Sequence, residues 1–372
     1  MDDRAHRLLA DPTGEDLARH LIDFDPREPQ HYLFAAAATS PEAVALAAGQ
    51  LHPDPIPWPA GLAPDTQPFG PDITDISPLP QADVLVVTYT VAEGYGLADV
   101  LTPGLSTTGW MPYRNNWDQL KKTVGKGAPS LNPHRNQAGL WALTSIGPRT
   151  VVVVKSDLHP VTDGPKLPIC TLWAQMIDQV KPRLVITTGT AGGIGGDTLL
   201  GDVIVSQHLR WDCTKKFQHD PFAQQAYTST GPALATTTYQ LAAGTLIPVN
   251  AVHLPAAARP PGIVTRAGAD PASVLTTDFF AFDDAANSYG LRTYEPTARA
   301  VEMDDSALPL ACTDLADPPP WVSVRNASDP QMTGGTIKDE AQQAAAIYEK
   351  YGYWTTINSA ITCWAVITSL GA

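Results

Sequence analysis

The sequence predicts an α/β protein whose sheet carries helices on both faces, and three observations predict it. VLVVTYT at 84–90 is a near-continuous apolar run, as in a strand covered on both sides. LPICTLWAQMIDQVK at 167–181 has amphipathic helical spacing and is stopped by Pro182; it lies between the strand-like runs TVVVVKS (150–156) and LVITT (184–188). Strand, helix, strand in that order is a βαβ unit. Third, the 372 residues are 44% hydrophobic and 17% charged, a globular composition with length enough to bury a large core.

The elements follow in order. Residues 1–52 read as an N-terminal helical extension: Leu8, Leu9, Leu17, Leu21 and Ile22 fall at roughly helical spacing, and Ser40-Pro41-Glu42 offers an N-cap with proline at the first helical position. Prolines recur at short intervals from Pro53 to Pro80, so 53–82 reads as an extended linker or surface-wrapping arm. The body, 83–372, opens with the strand at 84–90, followed by helical GLADVL at 96–101. WALTSIG (141–147) and TVVVVKS form a strand pair. Further strands are expected at 202–207, 261–266 and 321–325, and two closing helices at 338–351 and 355–370.

Charge and composition exclude several classes. Lys and Arg number 24 against 38 Asp and Glu, a net charge of −14, which opposes docking on a nucleic-acid backbone. No apolar stretch reaches the ~20 residues of a membrane span, and the charged amphipathic N-terminus has no signal-peptide apolar region. Cys170, Cys213, Cys312 and Cys363 form no C-x-x-C pair and read as reduced thiols of a cytoplasmic protein. The nine histidines make no H-E-x-x-H cluster, so neither a metal nor another cofactor is expected.

The chemistry concentrates around LVITTGTAGGIGG at 184–196, where a buried strand empties into a loop of minimal bulk. DTLLGDVIVSQ (197–207) continues as extended chain, whereas a dinucleotide fingerprint would open a helix; a P-loop is absent as well. A tight β-turn is the plainer reading. The hydroxyls of Thr188 and Thr190 favour contact with sugar or phosphate oxygens. Three other places carry chemistry. Glu93, just beyond the first strand, is either a base that orients water or a solvated acid at a helix start. ARAVEMDDSAL (298–308) sets Glu302, Asp304 and Asp305 around Met303, either a sugar grip or an acidic helix start. VSVRNASDP (322–330) ends in Ser328 and Asp329, either a buried proton donor or an Asp-Pro turn.

Taken in chain order, strand with Glu93, GTAGGIG with GDVIVS, an aromatic segment, VEMD and a strand ending in SD, the sequence resembles the nucleoside phosphorylase and nucleosidase superfamily. The likeness is closest to its methylthioadenosine/S-adenosylhomocysteine nucleosidase branch and spans roughly 83–370. It implies a three-layer sandwich with a central mixed, partly closed sheet, and insertions near 102–140 and 208–260. It also implies roles. Glu93 activates the attacking water and Asp329 protonates the leaving purine, while Thr190, Ala191 and Gly192 face the ribose. Phe280 of TTDFFAF stacks on the base, Glu302, Met303 and Asp304 form the ribose clamp, and Ser328 accompanies Asp329.

This chain departs from the family in reading VEMD for VEME, which shortens the second acid and opens a shift of the grip to Asp305; Pro330 also follows the catalytic aspartate. Thr187 stands where phosphorolytic relatives carry an arginine, and none occurs between Asp83 and Trp110. Water is therefore the expected nucleophile. Arg114 and Arg135 in the first insertion keep phosphorolysis as the alternative; a non-catalytic nucleoside-binding module is the alternative of another class. The implied partner is a small purine nucleoside or nucleotide, and the resemblance implies a homo-oligomer.

Overall fold

The computed structural model describes residues 8–10, 15–38, 48–49, 51–211, 225–229 and 236–371. Ser40-Pro41-Glu42, Cys213 and part of the 208–260 insertion lie outside the described residues. The strands are β1 (Pro64–Gln67), β2 (Val84–Thr88), β3 (Met111–Tyr113), β4 (Gly139–Ile146), β5 (Arg149–Ser156), β6 (Leu184–Gly193), β7 (Val203–Ser206) and β8 (His208–Trp211). After them come β9 (Ala226–Thr228), β10 (Ile263–Val264), a ribbon of β11 (Arg266–Ala267) and β12 (Asp270–Pro271), β13 (Ser273–Thr276), β14 (Ala298–Glu302) and β15 (Trp321–Asp329). Four helices position the site: α1 (Glu15–Asp23), α2 (Val91–Leu101), α3 (Pro168–Val180) and α4 (Ile337–Thr368).

The expected βαβ unit is present, with α3 carrying the chain from β5 to β6 across β2, which pairs in parallel with both. All five β2 residues are buried, and their alternation explains the layers. Leu85 and Val87 pack with Leu172, Trp173 and Met176 of α3 on one face. Val84 and Val86 pack with Leu97 and Leu101 of α2 and Ile357 and Ile361 of α4 on the other. The result is a mixed sheet between two helical layers.

The expected partial closure is not found: among the described residues the sheet branches and its ends, β1 and β9, do not meet. One arm runs β2–β5–β4–β1. At β6 one edge changes partners: Leu184–Thr187 pair in parallel with β2, while Gly192 and Gly193 pair antiparallel with β14; the other edge pairs in parallel with β15 from Val185 to Gly192. Strand β15 continues to β7, and β14 continues to β13 and β8.

The two expected closing helices are one continuous helix, α4. Glycine at 352 costs about 1 kcal/mol in a helix, but Gly352, Tyr353 and Trp354 are buried, and that burial outweighs the break. The proline-rich segment lies along the body. β1 adds antiparallel to β4, and Trp364 Nε1 donates to the Leu62 carbonyl at 2.6 Å.

Candidate active site

Helix α2 begins directly after β2 because Thr90 caps it: the Thr90 hydroxyl accepts from Glu93 N, and the Glu93 carboxylate accepts from Thr90 N, a capping box. The same carboxylate binds much more. Its Oε2 accepts from Thr88 Oγ1 at 2.9 Å and Tyr89 N at 3.0 Å, and its Oε1 from Thr190 N at 2.8 Å and Thr190 Oγ1 at 2.6 Å. Glu93 thereby fastens the glycine loop to the end of β2. Gly189 makes the approach possible, since at φ +152° a Cβ would lie 2.6 Å from the Glu93 carboxyl. Burial alone would raise the Glu93 pKa. Arg325 and the hydrogen bonds from Thr190 and Thr90 outweigh it and hold the group below the usual carboxylate range.

Asp329 arrives from the other side of the loop. The β15–β6 register shifts between Ala327 and Asp329, a bulge that re-aims the strand's last side chain. The Ser328 hydroxyl is hydrogen-bonded to Asp329 Oδ1 at 2.9 Å, while Asp329 Oδ2 is buried and without a hydrogen-bond partner among the described residues. Burial pushes this carboxyl up to about 7, against a smaller lowering by Ser328. Gly192 gives it room, because a Cβ there would stand 3.1 Å from Oδ2.

The acids of VEMDD divide their work. Glu302 closes β14 instead of opening a helix. Its Oε2 accepts from Asp304 N at 2.6 Å and Asp305 N at 2.9 Å and meets Arg325 Nη2 at 3.1 Å. Asp305 lies behind the pocket. It takes Arg325 Nε at 3.0 Å and Nη2, and it accepts from Thr187 Oγ1 and Ser323 Oγ, both at 2.5 Å. Asp305 is therefore not a substitute grip on a ribose: its oxygens are consumed by the Arg325 clasp. Asp304 does reach the pocket, with Oδ1 3.1 Å from His159 Nδ1. Burial, then Glu93 and Asp305, raise the Asp304 carboxyl, although Arg325 counteracts them. Burial foremost pushes His159 down to about 3, so its ring is neutral.

These groups line one small cavity of about 40 Å³. It brings together the ten residues to which the resemblance gives catalytic or substrate-binding roles: Glu93, Thr190, Ala191, Gly192, Phe280, Glu302, Met303, Asp304, Ser328 and Asp329. It also contains residues the sequence reading missed, chiefly Arg325, Tyr348 and Leu21. An arginine inside the apolar run VSVRNASD was the available signal for the first, since a buried guanidinium demands buried carboxylates. Arg114 and Arg135, considered as phosphate ligands, line a different cavity of about 430 Å³. They are paired there with Asp75 at 2.8 Å and Asp23 at 2.7 Å.

A layered α/β sheet with two buried carboxylates of opposite pKa displacement across one pocket has the plan of a small-molecule enzyme. The chain belongs to the phosphorylase superfamily, whose model matches residues 128–351. The 5′-methylthioadenosine/S-adenosylhomocysteine nucleosidase of Shewanella piezotolerans is 25% identical over 224 residues, 59% of this chain and 82% of that protein. Its Shewanella pealeana counterpart is 26% identical over 185 residues, 49% of this chain and 69% of that one. Both are nucleosidases, hydrolases of N-glycosidic bonds.

Among solved structures, the Neisseria meningitidis nucleosidase in complex with methylthio-immucillin-A matches with a TM-score of 0.49 and 16% identity. That match covers 77% of this chain and 100% of that one. Futalosine hydrolase of Helicobacter pylori matches with a TM-score of 0.48 and 12% identity, over 77% and 97%.

Proposed function

We propose that the protein hydrolyses the N-glycosidic bond of a purine nucleoside or nucleotide, with Asp329 as general acid and Glu93 orienting the water. The observation that carries this reading is the pair of buried carboxylates in one pocket. Asp329 is raised to about 7 with an unpartnered oxygen, while Glu93 is held ionised by Arg325 and backbone donors. Two acids pushed apart by their surroundings make a natural acid and base assignment.

In the reaction, the Asp329 proton passes to the departing base as the C1′–N bond breaks. Positive charge grows on the ribose, and the ionised Glu93 stabilises it while its Oε1 exchanges the Thr190 hydroxyl for a water that attacks C1′. The water's surplus proton leaves through Glu93 to solvent, Asp329 takes a proton back from solvent, and the products are free base and free sugar. Phe280 covers the base, and Met303 and Asp304 hold the ribose. Glu302 holds the Asp304 turn through its backbone contacts. Hydrolysis is favoured over phosphorolysis because Arg325, the one cation lining the pocket among the described residues, is already taken by Asp305, Glu302 and the Thr190 carbonyl. The test is a panel of purine and pyrimidine nucleosides and nucleotides, with and without phosphate, assayed for free base. Base release that depends on phosphate and yields a sugar phosphate would replace this reading with the phosphorolytic one; tight binding without turnover would leave a binding module.

A further inference from the structure

We infer that helix α1 closes the pocket from within the same chain and that Leu21 sets which 5′ substituents the pocket admits. The inference rests on the nucleoside site proposed above. Helix α1 lies outside the segment matched by the family model, yet Leu21 lines the cavity and is buried. Its place within the cavity follows from the other walls. Asp329 and Phe280 define the base end, Met303 and Asp304 the ribose face, and Glu93 with Thr190 the C1′ region. Leu21 enters beside Thr90 and Tyr348: the Tyr348 hydroxyl donates to the Leu21 carbonyl at 3.2 Å and is hydrogen-bonded to Thr90 Oγ1 at 3.0 Å. The remaining end of the nucleoside, its 5′ position, faces this corner.

The attachment is extensive and specific. His20 Nε2 meets Glu349 Oε1 at 2.8 Å, and the buried Glu349 carboxylate also accepts from Leu33 N and Ala35 N, fixing the chain that follows α1 to α4. Arg27 pairs with Asp99 of α2 at 2.8 Å and lies over the Tyr95 ring. Leu17, Leu21 and Phe24 share one apolar cluster with Phe280 and Tyr348, so α1 is continuous with the pocket wall. A small-molecule site typically needs ~300 Å³ or more, against about 40 Å³ in this cavity. Occupancy thus requires one wall to give. The β6, β14 and β15 walls are tied by sheet hydrogen bonds, whereas α1 and the loop that carries Phe280 are not, so these are the walls that yield and reseat.

The corner also discriminates by charge. A 5′-phosphate would meet the Leu21 side chain and a pocket rich in carboxylates, with Arg325 already occupied, and an unpaired buried anion is strongly disfavoured. The admitted substrates are therefore uncharged nucleosides, not nucleotides.

The experiment compares wild type, Leu21→Ala, Leu21→Arg and Tyr348→Phe on adenosine, 5′-deoxyadenosine and adenosine 5′-monophosphate, following free base and checking each fold by circular dichroism. Wild type should release base from the nucleosides and at least tenfold less efficiently from the monophosphate. Leu21→Ala should shift the ratio of kcat/KM among 5′ substituents by tenfold or more, in the range that pocket methylenes provide. Leu21→Arg should raise the relative kcat/KM for the monophosphate. Tyr348→Phe, which keeps the ring and removes the tie to Leu21, should raise KM more than it lowers kcat. An active wild type whose 5′ preferences survive both Leu21 substitutions within twofold would overturn the inference alone. A wild type that releases base from none of the three, nor from any other purine nucleoside or nucleotide of the panel above, removes the proposed function, and the inference falls with it.

Discussion

The substitution Asp329→Asn isolates the proton that the proposed reaction needs. It preserves side-chain size and an acceptor for Ser328, and it removes the acid. General acid catalysis is worth ~10²–10⁴-fold, so kcat for base release should fall by that factor while nucleoside Kd changes less than about threefold. The wild-type pH profile adds a second reading. With the carboxyl at about 7, the protonated form dominates below that pH, and kcat should decline tenfold per pH unit above it. The variant should lack that limb.

The substitution moves stability the opposite way from activity. A folded-state value raised from 3.8 to about 7 means that the folded protein holds a proton the unfolded chain has released. The stabilising contribution is complete below about pH 4 and is lost as pH rises through 7, an upper bound of roughly 4 kcal/mol. Asp329→Asn should therefore unfold at a higher temperature than wild type at pH 8, and by a margin that vanishes near pH 4. Chromatographic assay of free base and thermal melts across pH 4–9 measure both effects. A variant that keeps more than a tenth of the activity, or an alkaline limb that persists in it, refutes the assignment.

Glu93→Gln should lower kcat by about 10² or more while retaining the cap geometry. Because the Glu93 carboxyl is depressed in the folded state, its stability contribution is present at neutral pH and lost as pH falls below 4.5, so the variant should show a flatter acid-unfolding curve. Gly189→Ala drives a methyl into the Glu93 carboxyl and should cost about 1–3 kcal/mol in urea denaturation along with most activity; a well-folded, fully active variant would contradict the geometry. Asp305→Asn strips the main counter-charge from the buried Arg325 and should cost about 3–5 kcal/mol, read as a lower urea midpoint.

The sheet and its flanking helices were legible because β2, β6 and α3 carry unambiguous apolar patterns. So were the residues that meet in the pocket: apart from Phe280, in the loop after β13, they stand near the end of a strand or at the start of a helix, where the sequence marks a change of structure. The partners that tune them were not. Arg325 and Asp305 are twenty residues apart and meet only because β15 and the turn after β14 both flank β6. Tyr348 sits mid-helix with nothing local to distinguish it, and Leu21 belongs to a segment whose helical spacing says nothing about what it covers. The continuity of α4 was hidden by Gly352, because tertiary burial overrides local propensity there.

The change of partners along β6 has a mechanical consequence. One edge of β6 passes from β2 to β14 while the other keeps β15, so Gly192 is gripped from both sides, between Asp329 and Val301. The floor of the hollow is thus set by main-chain pairing. Residues at the ends of β14 or β15 can be exchanged, and the proton donor or the sugar grip retuned, while the gap between the two strands stays where the backbone put it.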